Sequence, residues 1–383
     1  MKTGIISYYS TQFGELWEQS LFDLVEEAIR GVIKSAKLDM GHIDAIFFGN
    51  MLGGILENNL HTNAKIAEML GVHIPIFRVE AACASGGMAF HLANNYIQSG
   101  KSKTVLVVGA EKMNDVSPED ITQGLMSAAS GQEQGCGLTF PGLYALMARA
   151  YLSKYHYTKQ HLAAISVKNH AHAMCNPSAQ FHKRVTEEMV MSSPMVADPL
   201  GVLDSSPISD GAAALIISSD KTVLKKANVV SILSSEVATD SISLMKRRSI
   251  TEIEATQIAA KKAFTKAKLS PSNIQVAELH DCFTIAELMA MEDIGFWGRG
   301  EAGRRAKEYE TLFENGGDLI TNTSGGLKAA GHPVGATGIK QLGELYLQLT
   351  RQAKGRQVQK ARFGLAHNVG GSGGTAVITI VGI

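Results

Sequence analysis

Two of the four cysteines stand where a thiol could be used. Cys83 lies in "VEAACASGGMAF" (79–90), at the start of a stretch in which Met88, Ala89, Leu92, Tyr96 and Ile97 recur at helical spacing until Gly100. A thiol at a helix N-terminus feels the positive end of the dipole and free N–H groups, which favour thiolate. Its small neighbours are expected to leave room for a substrate to reach the sulfur. His332 lies between Gly331 and Pro333 in "AGHPVGATG" (330–338). Proline fixes the backbone after it, the glycines let other chain approach closely, and a histidine held this way suits general-base work on a thiol. In "AELHDCF" (277–283) a strand is expected to end in His280, Asp281 and Cys282. Polar, titratable groups at a strand's C-terminal edge are where open α/β sheets place their sites. "AHNVGGSGGTAVITI" (366–380) is a glycine-rich loop followed by a strand, not by the helix a dinucleotide site requires. Its N–H groups suit an oxyanion, each worth about 3 kcal/mol at a transition state.

Each feature also has a plain structural reading: a small buried cysteine, a helix-capping histidine, a tight turn. Cys136, Cys175, His170, His172 and Lys246-Arg247-Arg248 take mainly such readings. His280 and Cys282 are two ligands without a second pair, so no metal is expected.

The elements that must carry these residues follow from pattern. Buried strand runs ("IDAIFFG", "KTVLVVGA", "AALIISS", "TAVITIVG") alternate with helical stretches, the α/β signature. The chain also repeats itself. "KSAKLDMGHIDAIFFGN" (34–50) aligns with "TKAKLSPSNIQVAELHD" (265–281), "CASGGMAFHL" (83–92) with "GATGIKQLGE" (335–344), and "SDGAAALII" (209–217) with "SGGTAVITI" (372–380). Three matches in one order predict two halves, 1–228 and 229–383. The first half is longer, and the extra residues fall near 115–200, expected as an inserted loop domain.

With 383 residues, 45% hydrophobic, the chain can bury a large core. Lys+Arg and Asp+Glu both number 36, so no nucleic-acid or anionic-membrane partner is expected. No apolar run spans a membrane, no signal peptide or peroxisomal address is read, and scattered cysteines suggest a reduced, cytoplasmic protein.

Taken together, Cys83 opening a helix, "SPISDGAAA" (206–214), "HDCF" (280–283), "GHPVGATG" and "HNVGG" resemble the thiolase superfamily over essentially the whole chain. HDCF with HNxG, and "VKNHAHAMCNPSAQF" (167–181), is similar to the sterol-carrier-protein branch. The resemblance implies two βαβαβαββ halves forming five layers, and a homodimer or homotetramer. It implies coenzyme A thioesters as substrates, acetyl-CoA among them, with no permanently bound cofactor and no metal. It implies Cys83 as nucleophile, His332 as general base, Cys282 as second proton acid/base, and His280 in the oxyanion hole of the enolate. It further implies the Gly370 N–H as an oxyanion donor, and Asn368 and Ser324 as substrate-binding residues. Ordinary thiolases carry their second thiol where this chain has Asn368, so Cys282 inherits that task. The resemblance also implies an acyl pocket walled by "QEQGCGLTFPGLYALMARA" of the inserted region, with acetoacetyl-CoA as the expected substrate. The alternatives are a longer-chain 3-ketoacyl-CoA thiolase, a decarboxylating ketoacyl synthase and a non-catalytic scaffold.

Overall fold

The computed structural model describes residues 2–383 apart from Lys226. Ten strands form one continuous order: Ile320–Thr321, Val276–Glu278, Phe363–Gly370, Thr375–Gly382, Val230–Thr239, Gly4–Ser10, Gly211–Ser218, Thr104–Glu111, Ala45–Gly49, Ile76–Val79. Among the described residues, Val230–Thr239 and Gly4–Ser10 are paired only at Gly4–Ser231 and Ile5–Val230, so the order divides there into two sets of five. Outward from the seam, both sets run through two antiparallel pairings and then two parallel ones. This is the duplicated α/β architecture expected from the repeat.

The match extends to helix ends. Helices Leu21–Ala36 and Glu254–Ala267 both stop at a lysine in the left-handed conformation, Lys37 (φ 54°) and Lys268 (φ 57°). The next N–H bonds back in each, Leu38 to the Ile33 carbonyl and Leu269 to that of Phe264. A 3₁₀ turn and an isoleucine, Ile43 or Ile274, then feed the next strand.

Helices Ser85–Gln98 and Thr337–Leu349 form the middle of the molecule. Ala89, Phe90, Ala93 and Ile97 of one, and Ile339, Leu342, Leu345 and Leu349 of the other, share a core with both sheet halves. Outer helix Leu21–Ala36 covers the far side of the first set, and Glu254–Ala267 that of the second. Strand Thr104–Glu111 shows why five layers arise: Val105 and Val107 face the inner core, Leu106 and Val108 the outer one. The region 115–200 folds as helices Pro118–Met126, Gly131–Gly135, Phe140–Tyr155, Lys159–Ala173 and Glu187–Met191 with a short two-stranded hairpin. No helix among the described residues is long and apolar enough to cross a membrane.

The two central helices begin almost in backbone contact. A Cβ on Gly86 would lie 2.6 Å from the Gly335 carbonyl oxygen, and one on Gly338 would lie 2.3 Å from the Gly87 nitrogen. The small residues after Cys83 therefore serve helix packing, which corrects the expectation that they open a path for substrate. Strand residue Gly109 meets the same Gly335 oxygen, at 2.1 Å from an added Cβ. Gly109→Ala should lower unfolding stability in urea by about 1–3 kcal/mol, the usual cost of overpacking. Gly131→Ala, with nothing within 4 Å, should leave the midpoint unchanged.

Candidate active site

Cys83 is delivered by a strained turn. Ala82 holds φ +51°, a conformation costly for a residue with a Cβ. Ser85 secures it, its Oγ accepting from the Ala81 N–H (2.9 Å) and donating to the Ala82 carbonyl (2.6 Å). Cys83 follows strand Ile76–Val79 and stands two residues before helix Ser85–Gln98, so its sulfur faces the junction of the two halves.

His332 is placed from the second half. Helix Gly326–Ala330 is held by Asp281, whose carboxylate accepts from the N–H groups of Leu327 (2.6 Å) and Lys328 (3.2 Å) and from the Asn169 amide (2.7 Å). Beyond the histidine, Glu111 accepts from the Gly335 N–H at 3.0 Å while its oxygens also take Met51 and Leu52. A first-half carboxylate thus fixes the loop that carries the second-half histidine. Burial pushes Glu111 up to about 7. Asp210 of "SDG" is likewise a backbone anchor, accepting from Met113 and Asn114 and paired with Lys112 at 2.8 Å.

Hydrogen bonds define the two rings. The Thr337 hydroxyl donates to the Pro333 carbonyl (3.0 Å), so its lone pair accepts from His332 Nδ1–H at 2.7 Å. His332 Nε2 then carries no proton, and it has no partner among the described residues. His280 stands edge-on to it, ring centroids 5.2 Å apart, and its Nε2 is also buried and unpartnered. Cys83 Sγ and a ring nitrogen from each histidine lie within 4.8 Å of one another. By type these three donors are a ligand set for a thiophilic ion.

Desolvation dominates the electrostatics. Cys83 keeps some exposed surface, yet its sulfur is enclosed, and burial pushes the thiol up to about 12 despite its own N–H and that of Gly371. The expectation that the helix terminus would favour thiolate is overturned, because loss of water outweighs two N–H dipoles. Burial, then Lys340, brings His332 down to about 3, and burial holds His280 well below the ordinary range. Cys282 is pushed up by burial and stays a protonated thiol.

Cys83, Cys282 and His332 line one cavity of about 260 Å³. Its other walls include Leu125, Phe140 and Val196 from the 115–200 region. Tyr144 lines it too, stacked on Phe283 at 4.7 Å, donating to the Gly371 carbonyl at 3.0 Å and within hydrogen-bond reach of Cys282. Sequence reasoning assigned its segment to the pocket but did not single out this tyrosine. The other expected site residues are placed differently. The sulfur-facing N–H belongs to Gly371 rather than Gly370, which ends a strand opposite Thr375 with its Cα against the Ala81 carbonyl. Asn368 and Ser324 do not line the cavity. Asn368 is 2% exposed, with its amide bonded to Gly87 N–H and the Cys83 carbonyl; Ser324 donates to Glu278 at 2.6 Å. His170 and His172 bond backbone carbonyls, and Arg247 holds Ser372.

Comparison with known proteins covers almost the whole chain. The family model "Thiolase, N-terminal domain" matches residues 3–221, and "Thiolase C-terminal domain-like" matches 236–383. An acetyl-CoA acetyltransferase of Methanothermobacter thermautotrophicus is 45% identical over 98% of both chains. Human sterol carrier protein 2 is 34% identical over 94% of this chain and 67% of its own length. The solved "Ltp2-ChsH2(DUF35) aldolase" superimposes with a TM-score of 0.85 at 21% identity, over 99% of this chain and 97% of that one, a likeness of fold.

A neutral thiol beside a neutral imidazole has a kinetic signature. Alkylation of Cys83 by iodoacetamide should show no inflection near pH 6.5 and should still be rising above pH 9. A thiolate–imidazolium pair would instead give a plateau across the neutral range.

Proposed function

Because the chain belongs to the thiolase family, we propose that it transfers acetyl groups to and from coenzyme A through an acyl-cysteine on Cys83. The observation that carries this reading is the convergence of Cys83, His280 and His332 within 4.8 Å, with Cys282 on the same cavity. In the thiolytic direction, His332 Nε2 takes the Cys83 proton as sulfur attacks the C3 carbonyl of a 3-ketoacyl-CoA. The Cys83 and Gly371 N–H groups face the oxygen that gains charge there. Collapse breaks the C2–C3 bond, and the electron pair passes into the acetyl-CoA enolate, whose oxygen accepts from His280. Cys282 gives its proton to C2. The resulting Cys282 thiolate then deprotonates incoming coenzyme A, which attacks the acyl carbon. Cys83 leaves as thiolate and recovers its proton from His332. Synthesis reverses each step.

A burial-raised thiol suits Cys282 for the first task, since it holds a proton at neutral pH until a strong carbon base appears beside it. Cys282→Ala should reduce both acetoacetyl-CoA thiolysis and acetyl-CoA condensation by about 10²–10⁴-fold, the usual worth of general acid–base catalysis. A variant working at the wild-type rate would remove Cys282 from the mechanism.

The small cavity, narrowed by Phe140, Tyr144 and Val196, supports short acyl chains, with acetoacetyl-CoA as the substrate. The relative named acetyl-CoA acetyltransferase supports the same assignment. Thiolysis measured across a series of 3-ketoacyl-CoAs should give the highest kcat/KM with acetoacetyl-CoA and a steep fall with length. Equal rates with long chains would reassign the substrate. Edge strand Ile76–Val79, with Phe77 and nearby Leu92 each 40% exposed, supports a homodimer that covers this edge.

A further inference from the structure

We propose that Asn368 is a positioning residue that fixes the ring proton of His280 on Nε2, keeping the Cys83–His280–His332 triangle a catalytic site rather than a metal site. This rests on the function proposed above for its kinetic consequence, but not for its structural one.

The argument starts from the amide. Asn368 Oδ1 accepts the Gly87 N–H at 3.0 Å, and Nδ2 donates to the Cys83 carbonyl at 2.9 Å. Turned over, Nδ2 would oppose an N–H and Oδ1 would oppose a carbonyl oxygen, exchanging two hydrogen bonds for two repulsions at a buried position. The orientation is therefore set without reference to the histidine. The second face of Nδ2 points at His280 Nδ1, 3.3 Å away. A proton on Nδ1 would bring two N–H groups face to face, so Nδ1 is the acceptor and the proton sits on Nε2. The fit is built in on the other side too. A Cβ on Gly338 or Gly87 would lie 2.4 or 2.8 Å from Asn368 Oδ1, so both neighbours must be glycine to admit the amide.

Two consequences follow. Beside the Cys83 sulfur, His280 then carries a neutral Nε2–H, where His332, held by Thr337, carries a bare nitrogen. One sulfur thus has an acceptor and a donor beside it, assigned by two different neighbours. A thiophilic cation would need a free lone pair from each ring, and a proton on Nε2 leaves His280 only the Nδ1 lone pair, which Asn368 occupies. The bond to the Cys83 carbonyl ties this assignment to the turn that carries the nucleophile.

Asn368→Asp tests the proposal. One carboxylate oxygen can still take the Gly87 N–H, while the other gives up the bond to the Cys83 carbonyl and accepts from Nδ1–H, stripping Nε2 of its proton. Thiolysis kcat should fall about 10²–10³-fold, as for loss of one oxyanion donor, with KM within about threefold. Iodoacetamide labelling of Cys83 should stay near the wild-type rate. Titration with Co²⁺ should give a sulfur-to-cobalt charge-transfer band in the variant, lost in Asn368→Asp/Cys83→Ser and absent in wild type. The proposal is overturned by wild-type kcat in the variant, by labelling that falls in step with kcat, or by absence of the band in the variant. Wild-type protein that binds Co²⁺ or Zn²⁺ and is thereby protected from alkylation overturns it whether or not the variant folds. The metal and alkylation measurements use no substrate. A wild-type chain without thiolysis would therefore remove the proposed function and leave the tautomer question to be decided by them.

Discussion

The active site depends on one near-contact between backbones, where the start of helix Ser85–Gln98 meets the start of helix Thr337–Leu349. Gly86 and Gly338 allow the approach, since a Cβ on either would overlap peptide atoms at the start of the other helix, while one on Gly87 would meet the Asn368 side chain and one on Gly335 the Gly49 and Ala110 carbonyls. Cys83 lies just before one of these starts and His332 just before the other. A histidine can reach a cysteine 249 positions away because two helices from duplicated halves cross where neither has side chains. Glu111 reinforces the crossing by accepting the Gly335 N–H, and Asn368 does so by taking the Gly87 N–H. The glycines serve packing, and that packing sets where Cys83 and His332 meet.

Enclosure at that crossing sets the proton chemistry. The helix terminus and two N–H groups would lower a thiol's pKa in water, but the sulfur has lost most of its water and sits near Glu111. Desolvation also strips His332 and His280 of charge. The resting site is therefore neutral, and charge appears only as bonds change. That arrangement makes every fixed dipole count, since the donors need not compete with solvent when an oxyanion forms. It also places weight on tautomers. An uncharged imidazole can donate from one nitrogen and accept at the other, and Thr337 and Asn368 settle the two rings in opposite senses.

Much of this was legible in the sequence because its signals are local. Cysteine before a helix-patterned Gly-Gly, histidine between glycine and proline, and HDCF at a strand end each declare a residue type and a backbone setting together. The repeat was legible because Leu38/Leu269 and Ile43/Ile274 do the same work after equivalent left-handed helix ends. What was missed depends on distance in sequence. That Gly371 rather than Gly370 faces the sulfur is a matter of one residue of hairpin register, set by Thr375 pairing with Gly370. Asn368 reads as a polar residue in a glycine loop until Gly87 and Cys83 are brought beside it. Tyr144 is one aromatic in an apolar helix until Phe283, Cys282 and Gly371 surround it. The thiol's raised pKa was misread because a dipole is visible in a helix boundary and desolvation is not.

The repeat and the insertion contribute different parts of the site. Cys83, His280, Cys282 and Gly371 come from loops at strand ends of the duplicated sheet, and His332 from the turn between helices Gly326–Ala330 and Thr337–Leu349. Leu125, Phe140, Tyr144 and Val196 come from the inserted region, which packs over those loops without forming part of the sheet. Changing the shape of the cavity then requires no change in the crossing. Tyr144 is the exception, because its hydroxyl holds the Gly371 carbonyl while its ring forms the wall. Any substitution that lengthens the cavity through Tyr144 would also loosen the turn that carries the Gly371 N–H beside Cys83. The insertion is thus free to vary at its rim and constrained where it meets the glycine loop.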